Sequence, residues 1–326
     1  MKTLTVSVAL LWAGSAAWLF GQTGVVGGPA IGFVFDGTAQ ALRPVRGIPG
    51  ASTLGDPVDA GFALTWATVA PGQDSAMVTA SDGSLHLLRL GAGVAAVNCA
   101  ACPSTAEAAV YSPGGTSVAL YSAGRVQIVT GLPSNPAAGA SFEVGDRLAR
   151  AGGGRSAAPP MALSDDGAWL LASMRVGVNL FSANGGPRTL LATAPYALVA
   201  FAAGGHDAAI ADAAGAGLVL VHDVAGAATQ QALAGADAIR HAGALAFSAD
   251  GSQVFVASGA DQTVSAIGTA SGAITVTACS FPPSGLVPMG NVMRLNEAGN
   301  GPVWLLDVAY AAGPRVVFVP AVAPVQ

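Results

Sequence analysis

Six times along the chain an apolar stretch runs into a Gly-containing turn and re-emerges as a short hydrophobic strand. The clearest copies are Phe247 to Ser258 (FSADGSQVFVAS) and Tyr111 to Ser122 (YSPGGTSVALYS). With the turn glycine as anchor, the copies fall at Gly72, Gly115, Gly167, Gly205, Gly251 and Gly299, spaced by 43, 52, 38, 46 and 48 residues. Four strands of ordinary length plus their turns need about 40 to 45 residues, which is one blade of a β-propeller. The fifth unit shows all four strands: Gly243 to Ser248, Gln253 to Ser258, Thr263 to Gly268 and Ala273 to Cys279. Turn signals at Asp250-Gly251, Gly259-Ala260-Asp261 and Ser271-Gly272 separate them. Runs such as Leu218 to Val221 are apolar at every position, as a strand covered on both faces by neighbouring blades requires.

The fold class expected is therefore all-β, a β-propeller of six blades with seven as the alternative count. The sixth unit offers Val292 to Asn296, Val303 to Asp307 and Arg315 to Val319, and then no further strand. At the other end, Ile31 to Phe35 and Ala41 to Val45 read as strands that belong to no unit. Closing the ring with an N-terminal strand that completes the last blade supplies the lacking strand, because closure removes exposed sheet edges, and leaves one N-terminal strand over, which keeps seven blades open.

Composition narrows the partners. The chain is 52% hydrophobic and only 10% charged, with formal net charge −5, and its single lysine is Lys2. So few cations and aromatics argue against a nucleic-acid surface or a basic membrane patch. Lys2 followed by the apolar run Leu4 to Phe20 and then small residues reads as a secretory signal, residues 1 to 21, with residues 22 to 326 forming one propeller domain. The expectation is a periplasmic or extracellular monomer with no membrane-spanning segment once the signal is removed. In that compartment Cys99 and Cys102, two residues apart, could close a local disulfide, while Cys279 stands alone. Pro103 follows the second cysteine where covalent haem attachment needs histidine, and no second ligand pair accompanies it for zinc.

Aligning the units on their glycines places Val110, Ala162, Ala200, Ala246 and Arg294 at one position, pointing into the central channel. Their neighbours Tyr111, Leu163, Phe201, Phe247 and Leu295 then face between blades. The inward set is small and apolar except for Arg294. Such a set does not supply the converging oxygen ligands that a hard cation needs. Arg294 reads as a guanidinium that reaches solvent in the channel or pairs with a loop carboxylate such as Asp59, or else as the cation that fixes an anionic ligand. The histidines His86, His206, His222 and His241 lack metal-ligand spacing on a common strand, and no nucleophile elbow or phosphate loop is present. The longest connection, Gly145 to Pro160, carries Arg147, Arg150 and Arg155. With Arg240 and Arg294 these are the candidate binding residues, because long loops of a rigid scaffold carry contacts and arginine is enriched at interface anchors.

The segments FSADG at Phe247 to Gly251 and VHDVAG at Val221 to Gly226 resemble WD-repeat and YVTN-type propeller repeats of secreted bacterial proteins, over roughly residues 60 to 320. The His and Trp signatures of true WD repeats are missing from most units. The resemblance implies fold and compartment and carries no catalytic residue across. The functional expectation is a binding or scaffolding module that works through its loop face, without catalytic residue, metal or cofactor. The alternative is a lactonase-like hydrolase or lyase on the same scaffold.

Overall fold

A computed structural model describes residues 30–91, 93–145 and 158–322. Residues 1 to 21, with the signal expected there, and the arginines Arg147, Arg150 and Arg155 lie outside them. The described chain forms seven separate antiparallel sheets, which are the blades of a propeller. The first holds three strands: β1 (Ala30–Asp36), β2 (Ala41–Ile48) and β3 (Ala51–Leu54). The second holds β4 (Leu64–Val69), β5 (Ser75–Ala80), β6 (Leu85–Arg89) and β7 (Ala95–Val97). The third holds β8 (Ala108–Tyr111), β9 (Ser117–Ser122), β10 (Arg125–Thr130) and β11 (Ala137–Glu143). The fourth holds β12 (Met161–Leu163), β13 (Trp169–Met174), β14 (Gly177–Ser182) and β15 (Gly185–Leu191). The fifth holds β16 (Leu198–Phe201), β17 (Ala208–Asp212), β18 (Gly217–His222) and β19 (Thr229–Ala234). The sixth holds β20 (Ala242–Phe247), β21 (Gln253–Ser258), β22 (Thr263–Gly268) and β23 (Ile274–Ala278). The seventh holds β24 (Val287–Met289), β25 (Val292–Arg294), β26 (Val303–Asp307) and β27 (Arg315–Val319).

Strand alternation explains why the second strands are apolar throughout. In β21, Val254 and Val256 pack into a cluster with Ala209, Leu218 and Leu220 of the fifth blade. Phe255 and Ala257 of the same strand turn the other way, onto Met293, Leu295 and Leu306 of the seventh. Seven apolar clusters arise in this way, each spanning one pair of adjacent blades. The one that joins Val34 and Val45 to Val292, Val303 and Leu305 closes the ring between the first blade and the last.

The propeller expected from the repeat is present, and its count is the alternative, seven. The expected mode of ring closure is corrected. The N-terminal strands form a blade of their own, and the last sheet draws all four strands from its own segment. Its innermost strand, β24, is a three-residue stretch around Pro288, too short and Pro-bearing to give a strand signal. The turn at Gly299 therefore joins a second strand to a third, unlike the other anchor turns.

The incomplete sheet is the first. Leu64, at the start of β4, donates its N–H to Gln40 C=O in the β1–β2 turn at 2.8 Å. That turn thus lies at the end of the ring where β4 begins, so β1 runs opposite to β4 and takes the direction of a second strand. Among the described residues, which begin at Ala30, the first blade shows no innermost strand. A parallel bridge from Asp36 to Ala298 and the side chain of Gln73 hold β1 to its neighbours instead.

Candidate functional site

The turns between first and second strands lie on one face, here called upper. Four of them share a hydrogen-bonded plan in which a residue at positive φ donates its N–H three residues back: Gln73 to Ala70, Gly115 to Ser112, Gly167 to Ser164 and Gly251 to Ser248. The first repeat therefore carries Gln73, not Gly72, at the position of the anchor glycine. Left-handed backbone is costly for a residue with a Cβ, and the side chain shows why it is tolerated. Gln73 Oε1 accepts the Phe33 N–H at 2.7 Å, and its Nε2 donates to Ala70 C=O and Pro288 C=O at 3.0 and 3.5 Å. One carboxamide thereby ties the first, second and seventh blades together.

Above the centre of the ring lies a cavity of about 520 Å³. Val110, Ala162, Ala200 and Ala246 line it, the inward positions read from the repeat, and Leu245 and Val292 join them. Residues of the upper turns, among them Gly114, Ala203 and Ser248, form its mouth. Tyr111 also borders it, and burial pushes its phenol well above the ordinary range, so it stays neutral. Aspartates lie on three of these turns, Asp74, Asp165 with Asp166, and Asp250, outside the residues that line the cavity itself.

These carboxylates also hold the turns. Asp165 Oδ2 accepts the Gly204 N–H of the fifth blade at 2.7 Å, while its Oδ1 accepts the Gly114 N–H of the third, so one side chain links three blades. Asp166 Oδ2 meets His206 Nε2 at 2.9 Å. Burial works to raise Asp166, but the Ser164 hydroxyl, the Ala168 N–H and His206 outweigh it and hold the carboxyl below its usual range. The Ser248 hydroxyl, with the Ser252 N–H and hydroxyl, does the same for Asp250. Asp166 and Asp250 are accordingly held as carboxylates at neutral pH.

A second cavity, of about 570 Å³, sits beside β1, where the described residues of the first blade show no innermost strand. Phe33, Phe35, Trp66, Val287 and Met289 supply apolar wall, Gln73 lies at one end, and Arg294 and Glu297 lie at the other. Arg294 belongs to β25, a second strand, so it does not share the inward position of Ala246 that the alignment gave it. Its carboxylate partner is Glu297, not Asp59, and its Nη1 also donates to Asn296 C=O at 3.0 Å.

Arg240 is exposed after a short 3-10 turn, Ala236–Ile239, and acts on Asp261 through charge. It and the chain ends of β11 and β12, which flank the connection bearing Arg147, Arg150 and Arg155, lie on the lower face. The described residues do not bring Arg240 and Arg294 into one cluster. Each histidine has a local partner: His86 with Ser84, His206 with Asp166, His222 with Asp207 and Gln231, and His241 with Asp261. Among the described residues no group of three or more His, Cys, Asp or Glu side chains is placed to hold one metal ion, and no helix is long and apolar enough to cross a membrane. Cys99 and Cys102 are joined by a disulfide, Cα–Cα 5.3 Å, and Cys279 is free and buried.

Gln73, Asp165 and Glu297 were missed in the sequence. Only Gln73 had a usable signal there, as a long carboxamide side chain directly after an anchor glycine.

No protein-family model and no curated protein matches the chain. Solved structures do match its fold. A candidate 6-phosphogluconolactonase from Bacteroides uniformis is similar at TM-score 0.57 and 15% identity, over 89% of this chain and 96% of the other. One from Bacteroides fragilis gives 0.58 and 11%, over 89% and 92%. Sqt1 of Chaetomium thermophilum, solved bound to the N-terminus of the ribosomal protein L10, gives 0.51 and 16%, over 88% of each chain. At these identities the likeness is one of fold: the chain is a seven-bladed β-propeller, similar both to lactonase-type and to WD-repeat propellers.

Proposed function

We propose that this protein is an exported, monomeric binding module that seats an apolar, positively charged group of its partner in the upper end of the channel. The observation that carries this reading is the pairing of an apolar cavity of about 520 Å³ with aspartates on the turns around its mouth. A cavity of this size accommodates a small organic body, and the surrounding carboxylates select its charge. The polar side chains near the mouth serve the turns, and Tyr111 is held neutral, which favours a seat over a reaction centre. The Sqt1 complex is one instance of this scaffold holding a peptide. Export is supported by Lys2 and the apolar run Leu4 to Phe20. Arg240, on the lower face, offers the same partner an anion-seeking contact, and Arg147, Arg150 and Arg155, outside the described residues, remain candidates for another.

Titration with naphthalen-2-ylmethylammonium, followed by calorimetry, tests the seat. Binding is expected to weaken roughly tenfold or more in Ala246→Trp, which fills the cavity, and to weaken with rising salt. Binding that ignores Ala246→Trp would contradict the seat. Bound divalent metal together with turnover in a lactone-hydrolysis screen would contradict the non-catalytic reading.

A further inference from the structure

The cavity beside β1 differs in character from the upper one. Its walls are aromatic and aliphatic, yet a guanidinium lines one end. The Arg294 side chain is only 12% exposed, whereas the Glu297 side chain that pairs with it is 66% exposed. A guanidinium withdrawn from water needs its donors satisfied. Among the described residues Arg294 uses Nη1 alone, toward Glu297 and Asn296 C=O, so Nε and Nη2 have no hydrogen-bond partner and remain accessible rather than sealed from solvent. Planar guanidinium and carboxylate groups match in a two-bond geometry that a single Nη1 contact does not exploit. Glu297 therefore engages only Nη1, and another carboxylate can take Nε and Nη2 in the two-bond geometry.

We infer that this cavity is a second ligand site, specific for a small aromatic or branched aliphatic carboxylate. The apolar body lies between Phe33, Phe35 and Met289, and the carboxylate competes with Glu297 for Arg294. The charge preference is opposite to that of the upper seat, so the two sites are chemically separable on one molecule. Trp66 borders the cavity and reports its occupation.

The test uses 2-naphthoate, with naphthalen-2-ylmethanol as its uncharged counterpart, against the whole purified protein. Calorimetry gives the affinity and tryptophan fluorescence reports the site. Glu297→Gln, an exposed change that leaves the fold intact, is expected to tighten 2-naphthoate roughly threefold or more by removing the competing carboxylate. Arg294→Gln is expected to weaken it by roughly tenfold or more, the scale of one hydrogen bond to a charged group. Ala109→Trp, which fills the cavity from β8, is expected to weaken it likewise, and Ala246→Trp in the upper cavity to leave it unchanged. The inference is overturned if wild-type protein does not bind 2-naphthoate at millimolar concentration, if the alcohol binds as tightly, or if Glu297→Gln fails to tighten it. Loss through Ala246→Trp instead would assign the ligand to the upper seat.

Discussion

Gln73 shows how a local rule is broken for a long-range contact. Its turn position is filled by glycine in three other blades, and φ at Gln73 is 60°. Gln73→Gly would relieve a left-handed strain of about 1 kcal/mol. It would also leave the Phe33 N–H without its acceptor, at about 1–3 kcal/mol. The net expectation is a lower urea midpoint for Gln73→Gly, and a higher one would show that the carboxamide contributes nothing. Gly32 complements it, because a Cβ there would lie 2.4 Å from both Gln73 Oε1 and Met289 Cγ. Asp36 is the other anchor of the first blade. Its Oδ2 accepts from Arg43 Nε at 2.7 Å and its Oδ1 accepts the Thr38 and Ala39 N–H groups, with both charged side chains nearly buried. Burial works to raise its pKa, but the Ala39, Arg43 and Thr38 bonds bring it below 3.8. A depressed carboxylate contributes stability that is present above the unfolded value and lost as pH falls through the folded one. The stability gap between wild type and Asp36→Asn should therefore be largest near neutrality and shrink below pH 3.8, as unfolding titrations at stepped pH would show.

At the scale of elements, the turns do the joining. Asp165, on the β12–β13 turn, accepts backbone N–H groups from the turns before and after it in the ring. Asp165→Ala should destabilise the protein by about 1–3 kcal/mol, because two backbone donors lose a charged acceptor. The same change should speed hydrogen exchange at Gly114 and Gly204 more than at Gly251, whose turn it does not touch. Uniform exchange across the three turns would contradict the latch. The regular blades were legible in the sequence because their strands are buried on both faces and end in Asp-Gly or Gly-Gly turns. What escaped was set by three-dimensional neighbours. β24 holds only Val287, Pro288 and Met289, and it is a strand because β25 pairs with it. The channel lining was legible at Val110, Ala162, Ala200 and Ala246, where one-to-one strand alternation holds from the turn. It failed at Arg294, because the Gly299 turn belongs to a different pair of strands. The acidic mouth, by contrast, was present in the Asp-bearing turns, where it read only as turn chemistry.

Over the whole molecule, stability resides in seven apolar interfaces arranged in a closed cycle, so each blade depends on two neighbours. Phe255 is fully buried between the sixth and seventh blades, and Phe255→Ala should cost about 3–5 kcal/mol in a single cooperative unfolding transition. A separate early transition for those two blades would show that the ring unfolds piecewise. Closure also creates the ligand space, since β8, β12, β16 and β20 send Val110, Ala162, Ala200 and Ala246 toward the axis, while a second cavity lies beside β1. The central claim is that the upper end of the channel is the binding seat. It is tested most directly by a methyl NMR map of the labelled protein titrated with naphthalen-2-ylmethylammonium. The account predicts saturable shifts confined to the methyls of Val110, Ala200, Leu245, Ala246 and Val292. Shifts concentrated instead at Val287 and Met289, or none at all, would contradict it.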